Sequence, residues 1–261
     1  MKGKTILITG STDGVGRHVA ERLAAEGALA IVHGRDRARG EARLFIADLS
    51  SLAEVRAFAE TVKRETDGLD ALVNNAGIGT AGAEREMSRD GHELRFAVNY
   101  LAGFLLTRLL LPLLEGRKPA RIVNVASAGQ QAIDFSDVML TRDYSGVRAY
   151  RQSKLAQIMF TFDLAEELAG RDISVNSLHP ATYMNTTMVR LSGVQPISTV
   201  EEGGAAILQL VRSTELVGKS GLYFDGMRAS RANAQAYDPA ARRRLRKLSF
   251  ALAGLADPMA T

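Results

Sequence analysis

Short apolar runs alternate with longer segments of helical periodicity from one end of the chain to the other. Thr5–Thr9, Ala28–His33, Leu44–Ala47, Ala71–Asn74, Arg121–Val125, Ile173–Leu178 and Gly221–Phe224 read as strands. Several are almost continuously apolar, the pattern of parallel strands covered on both faces. Between them Val15–Glu26, Leu52–Glu65, Glu93–Glu115, Ala149–Ala169 and Val200–Arg212 repeat apolar residues at helical spacing. Strand–helix alternation of this kind builds a parallel sheet with helices on both faces. No repeat or linker interrupts it, so residues 1–261 are read as one α/β domain.

One connection breaks the pattern. Only Asp36–Arg43 separate Arg35 from Leu44, whereas a parallel crossover takes about a dozen residues or more. Either its helix is reduced to a turn, or residues of the natural chain are missing from the sequence. The apolar stretch Leu101–Leu114, interrupted by Thr107 and Arg108, reads as a core helix. A membrane span would take about 20 apolar residues, so no integral membrane association is expected.

Composition narrows the chemistry. The chain has no cysteine, which removes disulfides, thiol catalysis and thiolate metal sites and suits a cytoplasmic location. Lys2 and Lys4 precede an apolar run too short for a secretory signal. His18, His33, His92 and His179 show no metal-ligand spacing, so no metal is expected. The net charge is +4. It is too dispersed to suggest a nucleic-acid partner. The exception is Arg242–Lys247, inside a helical pattern with Leu245, Leu248, Leu252 and Leu255 over residues 239–256. That basic face is either solvated or docks on a membrane surface or a partner subunit.

The first strand runs into Gly10-Ser11-Thr12-Asp13-Gly14-Val15-Gly16 and then a helix. A glycine turn there lets backbone N–H groups approach a pyrophosphate, and the helix N-terminus adds partial positive charge. The end of the second strand reads His33-Gly34-Arg35. An acid would bond the ribose 2′-OH of NAD, and an arginine accommodates the 2′-phosphate of NADP. Arg35 therefore favours NADP(H) over NAD(H). Asp48 and Leu49 follow the third strand, placed for the adenine, although Asp48-Leu49-Ser50 reads equally as a helix cap.

These features sit in a longer series: Thr9-Gly10-x-x-x-Gly14-x-Gly16, Asn74-Asn75-Ala76-Gly77, Asn99, Ser127, Tyr150-x-x-x-Lys154 and His179-Pro180. In this order the chain resembles the short-chain dehydrogenase/reductase family over essentially its whole length. The run Tyr150–Lys154 and Tyr223-Phe224-Asp225-Gly226 look like its retinol-dehydrogenase-like branch and bacterial relatives. The resemblance implies a doubly wound Rossmann-type domain with a seven-stranded parallel sheet, NADP(H), and carbonyl/alcohol redox chemistry. It implies cofactor contacts from Asn75, Ala76, Gly77, Pro180 and Thr182, and a homodimer or homotetramer built through the helices holding Asn99 and Tyr150. The chain departs from the pattern in Ala181 after Pro180, in Asn185 where a threonine is usual, and in Asp13 where NADP-preferring members often carry a base.

Carbonyl reduction needs a proton donor at the developing oxyanion, a second hydrogen bond to it and a fixed hydride source. Tyr150 is the candidate donor. Lys154, one turn later on the same helix face, would draw the phenol from about 10 towards neutrality. Ser127 ends the fifth strand, where α/β sheets bind ligands, and would hydrogen-bond the substrate oxygen. The resemblance gives Asn99 a water that relays protons to Lys154. His179 reads as either a packed strand-end residue or a base. Residues 181–200, with Tyr183, Met184, Met188, Val189 and Leu191, read as a lid for a small lipophilic carbonyl or alcohol. Residues 130–147 read as a pocket wall. Two rivals remain: non-redox acid/base chemistry such as cyclisation or epimerisation on the same scaffold, and a nucleotide sensor without turnover. Intact Ser127, Tyr150 and Lys154 argue against the sensor.

Overall fold

The structure, a computed structural model, describes residues 1–35, 44–80, 82 and 84–259. The short connection Asp36–Arg43 therefore lies outside the described residues.

The strands are β1 (Thr5–Ile8), β2 (Leu29–Gly34), β3 (Leu44–Ile46), β4 (Ala71–Asn74), β5 (Ala120–Val125), β6 (Ile173–His179), β7 (Leu222–Asp225) and β8 (Arg228–Ser230). They form one sheet in the order β3-β2-β1-β4-β5-β6-β7-β8. The first seven are parallel, as expected. The sheet then gains an eighth, antiparallel strand, with Tyr223 opposite Ser230 and Asp225 opposite Arg228. Gly226 makes this return possible, with φ +56 at the turn. The reversal of strand order at β1 and β4 opens a crevice at their carboxyl ends, the usual ligand position in such sheets.

Alternate strand residues feed two cores. Ile6, Ile8, Val32, Val73, Val123 and Leu178 face α1 (Gly14–Ala25) and α7 (Val200–Arg212). Leu7, Ile31, Leu72, Ile122 and Val175 face α2 (Leu52–Glu65), α4 (Ala102–Glu115), α5 (Gly146–Glu167) and α8 (Pro239–Leu252). Helix α1 buries Val15, Val19 and Leu23, a stripe with four-residue steps, and starts at the Asp13 cap. Helix α7 starts with a reciprocal Thr199–Glu202 capping box. The short α6 (Thr187–Leu191) lies in the segment expected as a lid.

The segment expected as one helix over Glu93–Glu115 is compound. A turn of α3 (Leu94–Phe96) passes into a π-turn over Ala97–Leu101 and only then into α4. The composite Leu94–Glu115 is long and apolar enough to cross a membrane, but 61% of its most apolar window is buried inside the fold. Asn99 sits in the π-turn, a widened helix turn often found at functional sites.

A buried polar chain fixes α5 against the sheet. Asn74 Nδ2 donates to Thr107 Oγ1 (2.9 Å) and Asn124 Oδ1 (2.8 Å), and Asn124 Nδ2 donates to Thr161 Oγ1 (2.9 Å). It joins β4 and β5 to α4 and α5. An Asn124→Leu variant leaves buried partners unsatisfied and is expected to lose about 2–4 kcal/mol in urea unfolding. A loss near zero would show that the chain merely fills space.

Candidate active site

The loops after β1 and β4 are locked together by hydrogen bonds in both directions. Thr9 Oγ1 accepts from the backbone N–H groups of Asn75 and Ala76, both at 3.0 Å. Asn75 Nδ2 returns two donations, to Thr9 O (2.9 Å) and Gly10 O (3.0 Å). The backbones approach so closely that a Cβ on Gly10, already at φ +64, would lie 2.8 Å from Ala76 Cα. A Cβ on Gly16 would overlap the Gly10 carbonyl oxygen and Asn75 Nδ2. Three of the predicted glycines thus have stated reasons to be glycine: Gly10 and Gly16 for contact, Gly14 for its φ of +55.

His33 holds the same loop from the other side. Its Nδ1 accepts from Gly10 N–H (3.1 Å), and its Nε2 lies 3.1 Å from Ala47 O. Those partners require a neutral ring carrying its proton on Nε2. Burial pushes its pKa down to about 4. Ser11 completes the tie: its Oγ donates to Ile8 O (2.7 Å) and accepts from His33 N–H (3.0 Å). Sequence reading passed over His33 because it sought metal ligands, and a lone histidine gives no such signal. Val15 turns into the core beneath.

At the adenosine end, the Thr12 side chain covers Gly34, where any Cβ would collide with it. Arg35 is exposed at the end of β2 and lies near enough to Asp48 to lower its pKa. Burial pushes Asp48 up, but hydrogen bonds from Ser50 and the charges of Arg89 and Arg35 outweigh it. The cap reading of Asp48–Ser50 is corrected by one position: Ser51 caps α2, while Asp48 Oδ1 accepts from Ser50 N–H in the turn before it. Leu49 is buried.

The residues expected to be catalytic gather on the other side of the β4 loop. Ser127 lies two residues past β5, its Oγ accepting from Gly129 N–H (3.0 Å) and close enough to the Tyr150 phenol to oppose the rise of its pKa. Lys154 Nζ donates to Val125 O and Gln157 Oε1, both at 2.9 Å, and lies 5.7 Å from the Tyr150 ring centre. Asn99 bridges two elements: Nδ2 donates to Ile78 O (3.1 Å) and Ser153 Oγ (3.0 Å), and Oδ1 accepts from Ile78 N–H (2.7 Å). A Cβ on Gly77 would lie 3.2 Å from Asn99 Oδ1 and 3.5 Å from Lys154 Nζ. Gly77 is therefore the point where the loop after β4 meets Asn99 and the α5 residue Lys154. Gln157 and Ser153, both buried, were missed by sequence reading. Helical spacing from Lys154 and Tyr150 was the available signal.

The expected fall of the Tyr150 pKa is corrected. Burial pushes the phenol up, with the Ser127 hydrogen bond only partly opposing it. Burial also pushes Lys154 down to about 7. The same desolvation disfavours phenolate and ammonium alike, so these side chains alone do not bring Tyr150 to neutrality.

The surroundings close the pocket. His179 Nε2 pairs with Thr182 Oγ1 at 3.0 Å, so the packed strand-end reading fits its contacts. Pro180 is buried beside it. Tyr183, Met188 and Leu191 are exposed on the 181–200 segment. That segment reaches the glycine loop, where Thr187 Oγ1 donates to Asp13 Oδ2 at 2.8 Å. Asn185 accepts from Arg190, and Thr186 caps α6. The 130–147 wall is anchored by a buried cluster in which Arg95 donates to Tyr144 Oη (2.6 Å) and Gly79 O (2.9 Å).

These positions match a known pattern. A profile of the short-chain dehydrogenase family matches residues 4–195. The chain belongs to that family. Human retinol dehydrogenase 13 is 34% identical over 288 aligned positions, covering 98% of this chain and 86% of that protein. A crystal structure of an uncharacterised Mycobacterium paratuberculosis protein has TM-score 0.80 at 29% identity, covering 99% of this chain and 96% of that one. A short-chain dehydrogenase of Escherichia coli CFT073 complexed with NADPH has TM-score 0.71 at 26% identity, covering 87% and 97%. This short-chain dehydrogenase is thus of the retinol-dehydrogenase-like kind.

The neutral, buried His33 makes stability depend on acid. Between pH 6.5 and 4 the unfolded chain binds the imidazole proton more tightly than the folded chain, so stability falls as pH drops through that window. Over the whole window this is about 3 kcal/mol. Urea unfolding at pH 7 and pH 4 should show a His33→Asn variant losing correspondingly less than the wild type. Parallel losses would mean that His33 titrates normally in the folded chain.

Proposed function

We propose that the protein is an NADP(H)-dependent oxidoreductase interconverting a carbonyl and an alcohol on a small lipophilic substrate. The observation that carries this reading is the meeting at Gly77. There the loop locked to the glycine turn touches Asn99 and Lys154, one helical turn from a Tyr150 ring that lies beside Ser127 at Gly129.

The residues present fit a dinucleotide. Gly10–Gly16 present backbone in a turn that side chains would fill, ahead of a helix N-terminus. Ser11, Thr12, Gly14, Val15 and Gly16 would hold the pyrophosphate, Asp48 and Leu49 the adenine, and Asn75, Ala76, Gly77, Pro180 and Thr182 the nicotinamide half. Tyr150 and Lys154 would hold its ribose. When bound, the dinucleotide supplies or accepts a hydride. Arg35, exposed at the end of β2, suits a 2′-phosphate. The E. coli neighbour carries NADPH.

Ser127 donates a hydrogen bond to the substrate oxygen. Tyr150 holds the proton that this oxygen gains on reduction and takes it back on oxidation. Lys154, placed by Val125 O and Gln157, stabilises the phenolate when its ammonium form is populated. Asn99 fixes Ile78 and Ser153 around that lysine, and a water on Asn99 would return the proton to solvent. Tyr183, Met188 and Leu191 offer an apolar lid. The lid and the relative named retinol dehydrogenase 13 support a lipophilic substrate.

Following nicotinamide absorbance with aldehydes, ketones and lipophilic alcohols, Tyr150→Phe is expected to lower kcat by about 10²–10⁴-fold. Turnover surviving in that variant would sink the assignment. Arg35→Asp is expected to weaken NADPH binding by roughly tenfold or more and NADH binding little. Equal losses would remove Arg35 from the phosphate site.

A further inference from the structure

The tail Tyr223-Phe224-Asp225-Gly226 has no task in the proposed reaction. Its strand residues point alternately to the two faces of the sheet. Phe224 joins the core under α1 and α7, and Tyr223 the core under α4 and α5. Gly226 N–H donates to His179 O (2.8 Å) at the end of β6. Tyr223 reaches further. It is 4% exposed, and its Oη donates to Ser127 O at 3.2 Å, across β6 from its own strand.

The Ser127 carbonyl depends on such a donor. Ser127 is buried and lies beyond the β5–β6 ladder, past the bond from Ala126 N–H to Leu178 O (2.8 Å). A buried carbonyl off the ladder must find another partner. Side chains serve it: Tyr223 from β7, and Gln130 Nε2 at 2.9 Å. Gln130 is held in turn, its Oε1 accepting Asn233 N–H at 2.7 Å. Gln235 takes Ile133 N–H (2.6 Å) and gives to Ile133 O (3.1 Å). Behind this turn α8 is fastened to α5, with Arg246 2.9 Å from Asp163 and 2.6 Å from Glu167. The backbone at Ser127 is thus gripped from β7 and from the chain leading into α8.

This grip sets the direction of the Ser127 hydroxyl. Its Oγ already accepts from Gly129 N–H (3.0 Å) in the same loop. A hydroxyl has one proton to give and two acceptor sites. With one acceptor site filled by backbone, the proton is left for an incoming oxygen. That arrangement lasts only while residues 127–129 keep their turn, and they lie in no helix or strand. Burial and the Asp225 charge push the Tyr223 phenol pKa up, so it stays a neutral donor.

We propose that Tyr223, with Gln130, is a positioning residue that clamps the Ser127 carbonyl so that the Ser127 hydroxyl faces the substrate oxygen. The inference rests on the donor role proposed for Ser127. It makes β7 and the chain beyond it part of the working site without any contact to substrate.

Tyr223→Phe keeps the ring in its core and removes the donor. Hydrogen exchange of the Gly129 amide reads the consequence in the free protein. Faster exchange, approaching that in Ser127→Ala while the β4 amides stay as in the wild type, supports the proposal. A wild-type rate, or a rise shared equally by the β4 amides, overturns it. In turnover, kcat is expected to fall about tenfold with KM little changed. The same substitution made in Ser127→Ala is expected to cost less than about twofold, because the clamp then has no hydroxyl to aim. Equal losses in both backgrounds overturn the proposal. Wild-type kcat in Ser127→Ala alone would instead sink the proposed role of Ser127, and the Gly129 rate would still decide the clamp.

Discussion

The site depends on the hydrogen bonds that join the ends of β1 and β4. Thr9 Oγ1 serves two backbone donors of one loop, and Asn75 Nδ2 serves two carbonyls of the other. Buried backbone groups must be paired, and here each loop is paired by its neighbour instead of by regular structure. The glycines follow from that closeness. So does the placement of Gly77 against Asn99 and Lys154. Adenosine-side and catalytic residues therefore share one frame, in which a shift of either loop moves both.

Around that frame, burial governs the charges. His33 is kept neutral and serves as acceptor for Gly10 N–H. Lys154 is pushed to about 7 despite two acceptors. Tyr150 is pushed the other way by the same desolvation. In the chain alone, moving a proton from the Tyr150 phenol to Lys154 is therefore uphill, because burial disfavours both charged forms. The 181–200 segment adds a polar contact at the glycine loop through Thr187 and Asp13, and its apolar Met188 lies over Gly79, where a Cβ would lie 2.8 Å from the Met188 Cγ.

Much of this was legible in the sequence, for identifiable reasons. Seven parallel strands follow from apolar runs alternating with helical periodicity, and β1, β4 and β5 fall within a residue or so of their expected bounds. The grouping of Ser127, Tyr150 and Lys154 follows from residue type, spacing and position at strand ends. What escaped depended on contacts between distant segments. β8 is a short exposed strand with no apolar alternation. The π-turn at Asn99 leaves no mark on periodicity, because one inserted residue merely shifts the stripe. His33 as loop anchor, Arg95 as a buried brace and Arg246 inside its own fold are charged or titratable residues whose partners lie far along the chain. The pKa of Tyr150 was misjudged because spacing shows a neighbouring charge but not the desolvation both groups suffer.

The claim that the two loops form one pre-set cradle is tested most directly by calorimetric titration of NADPH into the wild type and a Thr9→Val variant. Valine keeps the shape of threonine and removes the acceptor for Asn75 and Ala76. The account predicts a folded protein whose NADPH affinity falls on the order of tenfold or more, since each lost buried acceptor costs roughly 1–3 kcal/mol of loop order. Unchanged affinity in a folded Thr9→Val protein would contradict it.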